Sequence, residues 1–174
     1  MKNLNLGCGS DIKKDFVNLD SVKMPGVDVV CDLNKFPYPF KQNTFDNIYA
    51  AHVIEHLDDL PKVMQELRRI SKPGATILIR VPFFPSMYAA SDPTHKHFFT
   101  YLTWDYFTDK DCNHVFGSIK QPYFSTISRK IVFSWNPFLR WMNFFVNLFP
   151  VFYQRYLAFI LPSNELVVKM KVLK

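Results

Sequence analysis

The chain has 174 residues, room for one domain with a substantial core, and its 48% hydrophobic and 21% charged composition excludes a disordered chain. The net charge of +6 is unevenly placed: residues 1–112 carry thirteen Lys/Arg against fourteen Asp/Glu, whereas residues 113–174 carry eight against a single acid, Glu165. That asymmetry points to an anionic partner for the C-terminal part, and the three cysteines (Cys8, Cys31, Cys112), odd in number and in no CxxC pair, favour reduced thiols in the cytoplasm over a disulfide framework or zinc ribbon.

Taken in chain order, strand-like runs fall at Asn3–Leu6, Phe16–Leu19, Val27–Cys31, Asn47–Ala51 and Thr76–Val81. The clearest helix spans Leu60–Ser71: Asp58 or Asp59 can cap it, Pro61 suits its first turn, and Leu60, Val63, Met64 and Leu67 form an apolar stripe. Lys72-Pro73-Gly74 stops it. Strands alternating with crossovers predict a parallel sheet covered by helices. Residues 85–123 read mostly as loop, and loops of that length in a compact domain are usually functional. Further strands follow at Ser125–Ser134 and Leu166–Leu173.

Residues 136–163 are the unusual part. Eleven aromatic residues lie between Phe133 and Phe159, while Arg140, Asn143, Asn147 and Gln154 form a narrow polar stripe on an otherwise apolar helical pattern. Spanning a bilayer takes roughly 20 continuous apolar residues. Arg140, Pro150 and Arg155 interrupt the run, so a transmembrane helix is rejected and a helical pair inserted between two strands is expected. Basic plus aromatic is the composition of a membrane-interface element, and a Phe-packed core fits it equally. No charged n-region followed by an apolar stretch opens the chain, so a cytoplasmic protein is expected, with peripheral contact on the inner membrane face as a further option.

The chemistry begins at the strand ends. Gly7, Cys8 and Gly9 close the first strand, where small residues let backbone N–H groups approach a ligand. Asp20 closes the second, where a carboxylate can accept both hydroxyls of a ribose; Asp32 closes the third, where it can accept from an adenine amine while Leu33 packs on the ring. A nicotinamide cofactor would require Gly-x-Gly-x-x-Gly with an acid about 20 residues further on. Position 12 is Ile and Asp20 comes too early, so a dehydrogenase is disfavoured.

The ordered set "LNLGCGS", "FVNLD", "VDVVCDL", "FPYPFKQNTFDNIYAAHVIEHL" and "ELRRISKPGATILIRVP" resembles the class I S-adenosylmethionine-dependent methyltransferases, in particular the small type 11 branch. The resemblance covers residues 3–84. It implies a Rossmann-like α/β fold over residues 1–174, with a seven-stranded, mostly parallel sheet, an antiparallel last strand, and a helical insertion before that strand. It also implies S-adenosylmethionine as cofactor, held by Gly7, Cys8, Gly9, Asp20, Asp32 and Leu33, with Ala51 and His52 beside the sulfonium. Glu55 and His56 match the branch's common Glu-His pair, and His56 is read as a capping or core histidine. Two departures stand out. Asn5 replaces the common acid before the glycines, and Gly9 to Phe16 leaves space for only an abbreviated first crossover.

His95 and His97, in "SDPTHKHFFT", should overhang the site and are the candidates for a general base, with Asp92 to orient one of them. Four imidazoles (His52, His56, His95, His97) could hold a metal, but the cofactor would fill the space near His52, and no metal is assigned. Nucleic-acid methylation is disfavoured because "AAHVIEH" stands where an Asn/Asp-Pro-Pro-aromatic motif grips a base. The expected activity is methyl transfer to a small-molecule, sugar or lipid-linked glycan acceptor. The alternatives are a non-catalytic S-adenosylmethionine-binding scaffold and an RNA or other nucleic-acid methyltransferase.

Overall fold

A computed structural model of the chain describes residues 1–108 and 122–174. Cys112 and the middle of the long 85–123 segment lie outside the described residues. Seven strands form one sheet: β1 (Asn3–Leu6), β2 (Phe16–Asp20), β3 (Val29–Val30), β4 (Phe45–Ala51), β5 (Ser71–Pro82), β6 (Phe124–Val132) and β7 (Glu165–Val172). The sheet order is β3-β2-β1-β4-β5-β7-β6. Strands β1 to β5 are parallel, and β7 runs antiparallel between β5 and β6. The chain winds outward from β1 through β2 to β3 and returns to β4. The strand order therefore reverses between β1 and β4, the place where open parallel sheets bind ligands.

Cross-strand register puts apolar residues on one face. Leu6, Ala50, Ile79 and Val168 make one row, and Leu4, Ile48, Ile77 and Met170 the next. All eight are essentially inaccessible. Helix α1 (Leu60–Ile70) supplies Val63, Met64, Leu67 and Ile70 to the same core. Asp59 caps it, accepting the Lys62 N–H at 3.0 Å, and Pro61 sits in its first turn. The opposite face carries Asn47, Tyr49, Arg80 and Lys169, half-buried or exposed. Among the described residues, α1 is the only α-helix in the crossovers joining β1 to β5, preceded by one 3-10 turn at Ile54–His56.

The first crossover is abbreviated, as its length requires, and contains no helix. Two buried asparagines hold it instead. Asn5 donates to the Asp11 carbonyl (2.7 Å) and to Asn18 Oδ1 (3.0 Å), while Asn18 accepts the Lys13 N–H (2.9 Å) and donates to the Lys13 carbonyl (3.1 Å). An acid at position 5 could accept but not donate, so Asn5 is the residue that this short loop needs. The third strand is shorter than the apolar run Val27–Cys31 predicts: Val29 and Val30 pair in register with β2, flanked by single N–H bonds from Asp28 and Cys31.

Between β5 and β6 lie α2 (Met87–Ser91) and α3 (Asp105–Thr108). Between β6 and β7 the inserted segment forms α4 (Met142–Leu148), stops at Phe149, and resumes at Pro150 as α5 (Pro150–Phe152), running into one wide turn at Tyr153–Leu157. Three members of its polar stripe, Asn143, Asn147 and Gln154, point inward, while Arg140 is exposed. Asn147 accepts the Ile131 N–H (2.8 Å) and donates to the Ile131 carbonyl (2.6 Å). Asn143 accepts from Phe133 (2.7 Å) and donates to the Ser134 carbonyl (3.1 Å), and Gln154 accepts the Tyr101 N–H. The asparagines thus satisfy backbone groups of the edge strand β6 and its extension, as a neighbouring strand would. Phe138, Trp141, Phe144, Phe145, Phe149 and Phe152 consequently face outward, each more than half exposed. No helix among the described residues is long and apolar enough to cross a membrane.

This inverted packing predicts an inverted mutational pattern. Asn147→Ala should cost about 1–3 kcal/mol by stranding both Ile131 backbone groups, whereas Phe144→Ser should stay within about 0.5 kcal/mol. Denaturant unfolding of the two variants would show it; a larger loss for Phe144→Ser would mean that the aromatic side, not the asparagine side, holds the insertion.

Candidate functional site

Two cavities open at the carboxyl ends of the parallel strands, and they share His52 and His56. The smaller, about 420 Å³, is lined by Gly7 and Gly9 after β1, Asp20 and Ser21 at β2, Asp32 to Asn34 after β3, and His52 and Val53 after β4. Gly7 and Gly9 have φ of 61° and 48°, the left-handed region that favours glycine. A Cβ on Gly7 would lie 2.2 Å from Val53 Cγ2, so nothing larger fits there. A Cβ on Gly9 would meet nothing within 4 Å, so the missing side chain leaves open space at the end of β1.

Asp20 is held in place at the same end. Its Oδ2 accepts the Gly9 N–H at 2.8 Å and its Oδ1 accepts the Val22 N–H at 3.1 Å. Oδ1 also accepts from the Ser21 hydroxyl at 3.4 Å, and Oδ2 keeps lone-pair capacity for a hydroxyl donor. Asp32 Oδ1 accepts the Asn34 N–H at 3.0 Å, and Leu33 presents a mostly buried apolar surface beside it. Carboxylate, carboxylate and apolar shelf at successive strand ends fit a ribose and an adenine, with the open space at Gly9 left for the rest of a nucleoside-like cofactor. Cys8 is buried, its N–H bonded to the Leu19 carbonyl (2.9 Å), and burial followed by the Asp20 charge pushes its thiol up. Neither Cys8 nor Ala51 lines either cavity.

The larger cavity, about 830 Å³, lies on the other side of His52 and His56. Its floor is an ion-pair network. Glu165, the first residue of β7, accepts from Arg80 of β5 through both oxygens (Nε to Oε1 2.8 Å, Nη2 to Oε2 2.9 Å) and from His52 Nε2 at 3.0 Å. His52 has a φ of 51°, uncommon for a residue with a side chain, and its Nδ1 lies 3.4 Å from Glu55 Oε1. The hydrogen bond to Glu165, then the nearby Glu55 carboxylate, outweigh burial and raise His52 to a pKa of about 9, so it is a cation at neutral pH. Burial pushes the Glu165 carboxyl up, but His52 and Arg80 outweigh it and hold it below the ordinary range. Two cations therefore face two carboxylates. Trp135, exposed, stacks over the Arg80 guanidinium at 5.4 Å.

The segment after β5 forms the outer wall through Tyr88, Ser91, Asp92 and His95. His95 is mostly buried and reaches the cavity; its Nδ1 donates to the Ala89 carbonyl at 3.0 Å. His97 lines neither cavity, and its Nε2 is buried without a hydrogen-bond partner. The structure thus gathers Gly7, Gly9, Asp20, Asp32, Leu33 and His52 around one cavity and His52 and His95 around the other. Arg80, Trp135 and Glu165 are site residues that the sequence reading passed over. Two signals were available: Arg80 is a charge within an apolar strand, and Glu165 is the one acid after Asp111.

Residues 4–79 match the family Methyltransf_11, described as a methyltransferase domain. The 24-methylenesterol C-methyltransferase 3 of Arabidopsis thaliana is 31% identical over 77 residues, 42% of this chain and 21% of that protein. The ubiquinone/menaquinone biosynthesis C-methyltransferase UbiE of Desulfotalea psychrophila is 30% identical over 69 residues, 38% of this chain and 27% of that protein. These matches span less than a third of the curated relatives' length. Whole-fold similarity extends further: the S-adenosylmethionine-dependent methyltransferase of Archaeoglobus fulgidus superposes with a TM-score of 0.61 at 17% identity, covering 98% of this chain and 85% of that one. The cofactor that goes with this family and with these strand ends is S-adenosylmethionine. Residues 4–79, which hold the strand-end motifs, are thus similar to the Methyltransf_11 methyltransferase domain, and the sheet as a whole shares the fold of the Archaeoglobus fulgidus protein.

Proposed function

We propose that the chain transfers a methyl group from S-adenosylmethionine to a hydroxylated, lipid-linked or otherwise amphipathic acceptor, and that it works at an anionic membrane surface. The observation that carries this reading is the pair of cavities meeting at His52 and His56, one suited to a nucleoside and the other roomy, with several ionisable side chains in a largely apolar lining. Asp20 would hold the ribose, Asp32 and Leu33 the adenine, and the open space at Gly9 would receive the rest. When bound, S-adenosylmethionine would supply an electrophilic methyl group carried by a sulfonium leaving group.

The chain's contribution is placement. Holding donor and acceptor in two cavities with a common wall makes the reaction effectively unimolecular. The Glu165–Arg80–His52 network fixes the floor on which the acceptor rests, with its charges already paired. His95, with Nδ1 spent on the Ala89 carbonyl, turns Nε2 toward the acceptor side and can take its hydroxyl proton.

The membrane part rests on the outward-turned insertion. No Asp or Glu occurs from residue 112 to residue 164, while Arg140 and Arg155 are exposed among the aromatics. An apolar groove of about 330 Å³, lined by Phe145, Phe149, Phe152 and Leu161, could take an acyl chain.

Two measurements check these readings. Asp20→Ala should weaken S-adenosylmethionine binding by about 1–3 kcal/mol in titration calorimetry, the order expected for lost hydrogen bonds to a charged group. Unchanged affinity would remove Asp20 from the cofactor site. In vesicle co-sedimentation, the wild-type chain should bind phosphatidylglycerol vesicles and phosphatidylcholine ones weakly; a Trp141→Ser/Phe144→Ser/Phe145→Ser variant should lose most of that binding. Retention by the triple variant would move the contact elsewhere, and no vesicle binding by wild type would end the membrane reading.

A further inference from the structure

On the outer side of the shared wall, Glu55, His56 and His95 each bring a possible ligand atom within 4.8 Å of the other two. Glu55 is 1% exposed and lines the larger cavity, yet neither carboxylate oxygen accepts a hydrogen bond. Its one close cation, His52 Nδ1 at 3.4 Å, is at ion-pair distance and outside hydrogen-bond alignment. A buried carboxylate without hydrogen bonds is costly, and such a group calls for an explanation.

The two histidines beside it are oriented by their far nitrogens. His95 Nδ1 faces the Ala89 carbonyl, which can only accept, so Nδ1 carries the proton and the neutral ring keeps its lone pair on Nε2. His56 Nδ1 lies 2.9 Å from Thr94 Oγ1. Thr94 Oγ1 donates its single proton to Asp92 Oδ1 at 2.6 Å, so it must accept from His56 Nδ1–H, and the lone pair of His56 also sits on Nε2. The rings are adjacent, with centroids 4.8 Å apart. Backbone carbonyl on one ring and a Thr–Asp relay on the other are the outer contacts that ordinarily fix metal-ligating histidines.

We propose that Glu55, His56 and His95 form a site for a divalent transition cation, Zn²⁺ being the ion used to test it, with open coordination positions toward the acceptor cavity. Two imidazoles and one carboxylate are a donor set of catalytic zinc and of non-haem iron, and both leave room for an exogenous ligand. The donor atoms lie within 4.8 Å of one another, whereas ligands of tetrahedral zinc stand about 3.3 Å apart. Binding would therefore draw the three side chains together. The set differs from the four imidazoles that the sequence suggested: His52 is engaged by Glu165, and His97 lines neither cavity.

A cation here would bind an oxygen of the acceptor and acidify a coordinated hydroxyl, which narrows the acceptor to molecules that offer oxygen donors. That role rests on the methyl-transfer reading and changes His95 from proton acceptor to ligand. Metal affinity itself does not depend on S-adenosylmethionine, so the two readings fail separately.

The test is a competition titration of the chelator-stripped, full-length chain with Zn²⁺ against a fluorescent indicator, without cofactor. A single saturable site is expected, weakened at least 100-fold in Glu55→Gln and His95→Gln, and about 10-fold in Thr94→Val, which touches only the orienting contact. Thr94 is exposed, so that variant keeps the test decisive if a buried substitution unfolds the chain. Absence of binding, or affinity unchanged in Thr94→Val and either ligand variant, would overturn the proposal. So would a thiolate charge-transfer band in the Co²⁺-loaded protein, which would put the metal on cysteine.

Discussion

Glu165 ties the two halves of this chain together. It opens β7, the strand that returns after the inserted helices, and grips Arg80 on β5 and His52 just beyond β4. A carboxylate this buried needs partners, and removing one member of such a network typically costs about 3–5 kcal/mol because the remaining charges are left uncompensated. Arg80 is partly solvated, which places the cost here toward the lower end. The network closes the sheet on its antiparallel side and sets the positive-φ His52 at the wall between the cavities. The same contacts join the sheet and shape the site.

The insertion obeys a second constraint, that an edge strand must not present unpaired backbone. Asn143 and Asn147 satisfy β6 and its extension in place of another strand, and that forces the aromatic side of α4 outward. A helix that buries its polar stripe and exposes its phenylalanines reverses the usual arrangement of a soluble protein. Among the described residues the cavity walls come from α2, the loop after it, Trp135 and Asn164, so the insertion is free to face something other than the reacting centre.

Much of this was legible in the sequence because its signals are local. β1 coincides with Asn3–Leu6, and α1 with its Asp59 cap ends one residue short of the expected Ser71. The glycines and acids at the strand ends were readable, since chain order alone carries them to one edge of a parallel sheet. The stripe of Asn143, Asn147 and Gln154 was visible too, but its direction was not: period alone cannot say whether a polar stripe meets water or an edge strand. What escaped was pairing over long separations. His52 with Glu165 and Asn5 with Asn18 depend on register, and the lone-pair orientation of His56 depends on a threonine 38 residues away. His95 and His97 looked equivalent two residues apart, and backbone geometry sends only His95 to the cavity.

The most direct test of the central claim, a nucleoside cofactor site built on an abbreviated crossover, is a thermal-shift titration of the unmodified chain with S-adenosylmethionine, its demethylated product and NAD. A ligand at about 100 times its Kd should add about 2.7 kcal/mol of stability. Stabilisation by the first two and none by NAD is the predicted result. No shift with either sulfur nucleoside would contradict the account, because the asparagine-held loop would then fail to replace the missing helix as a cofactor cradle.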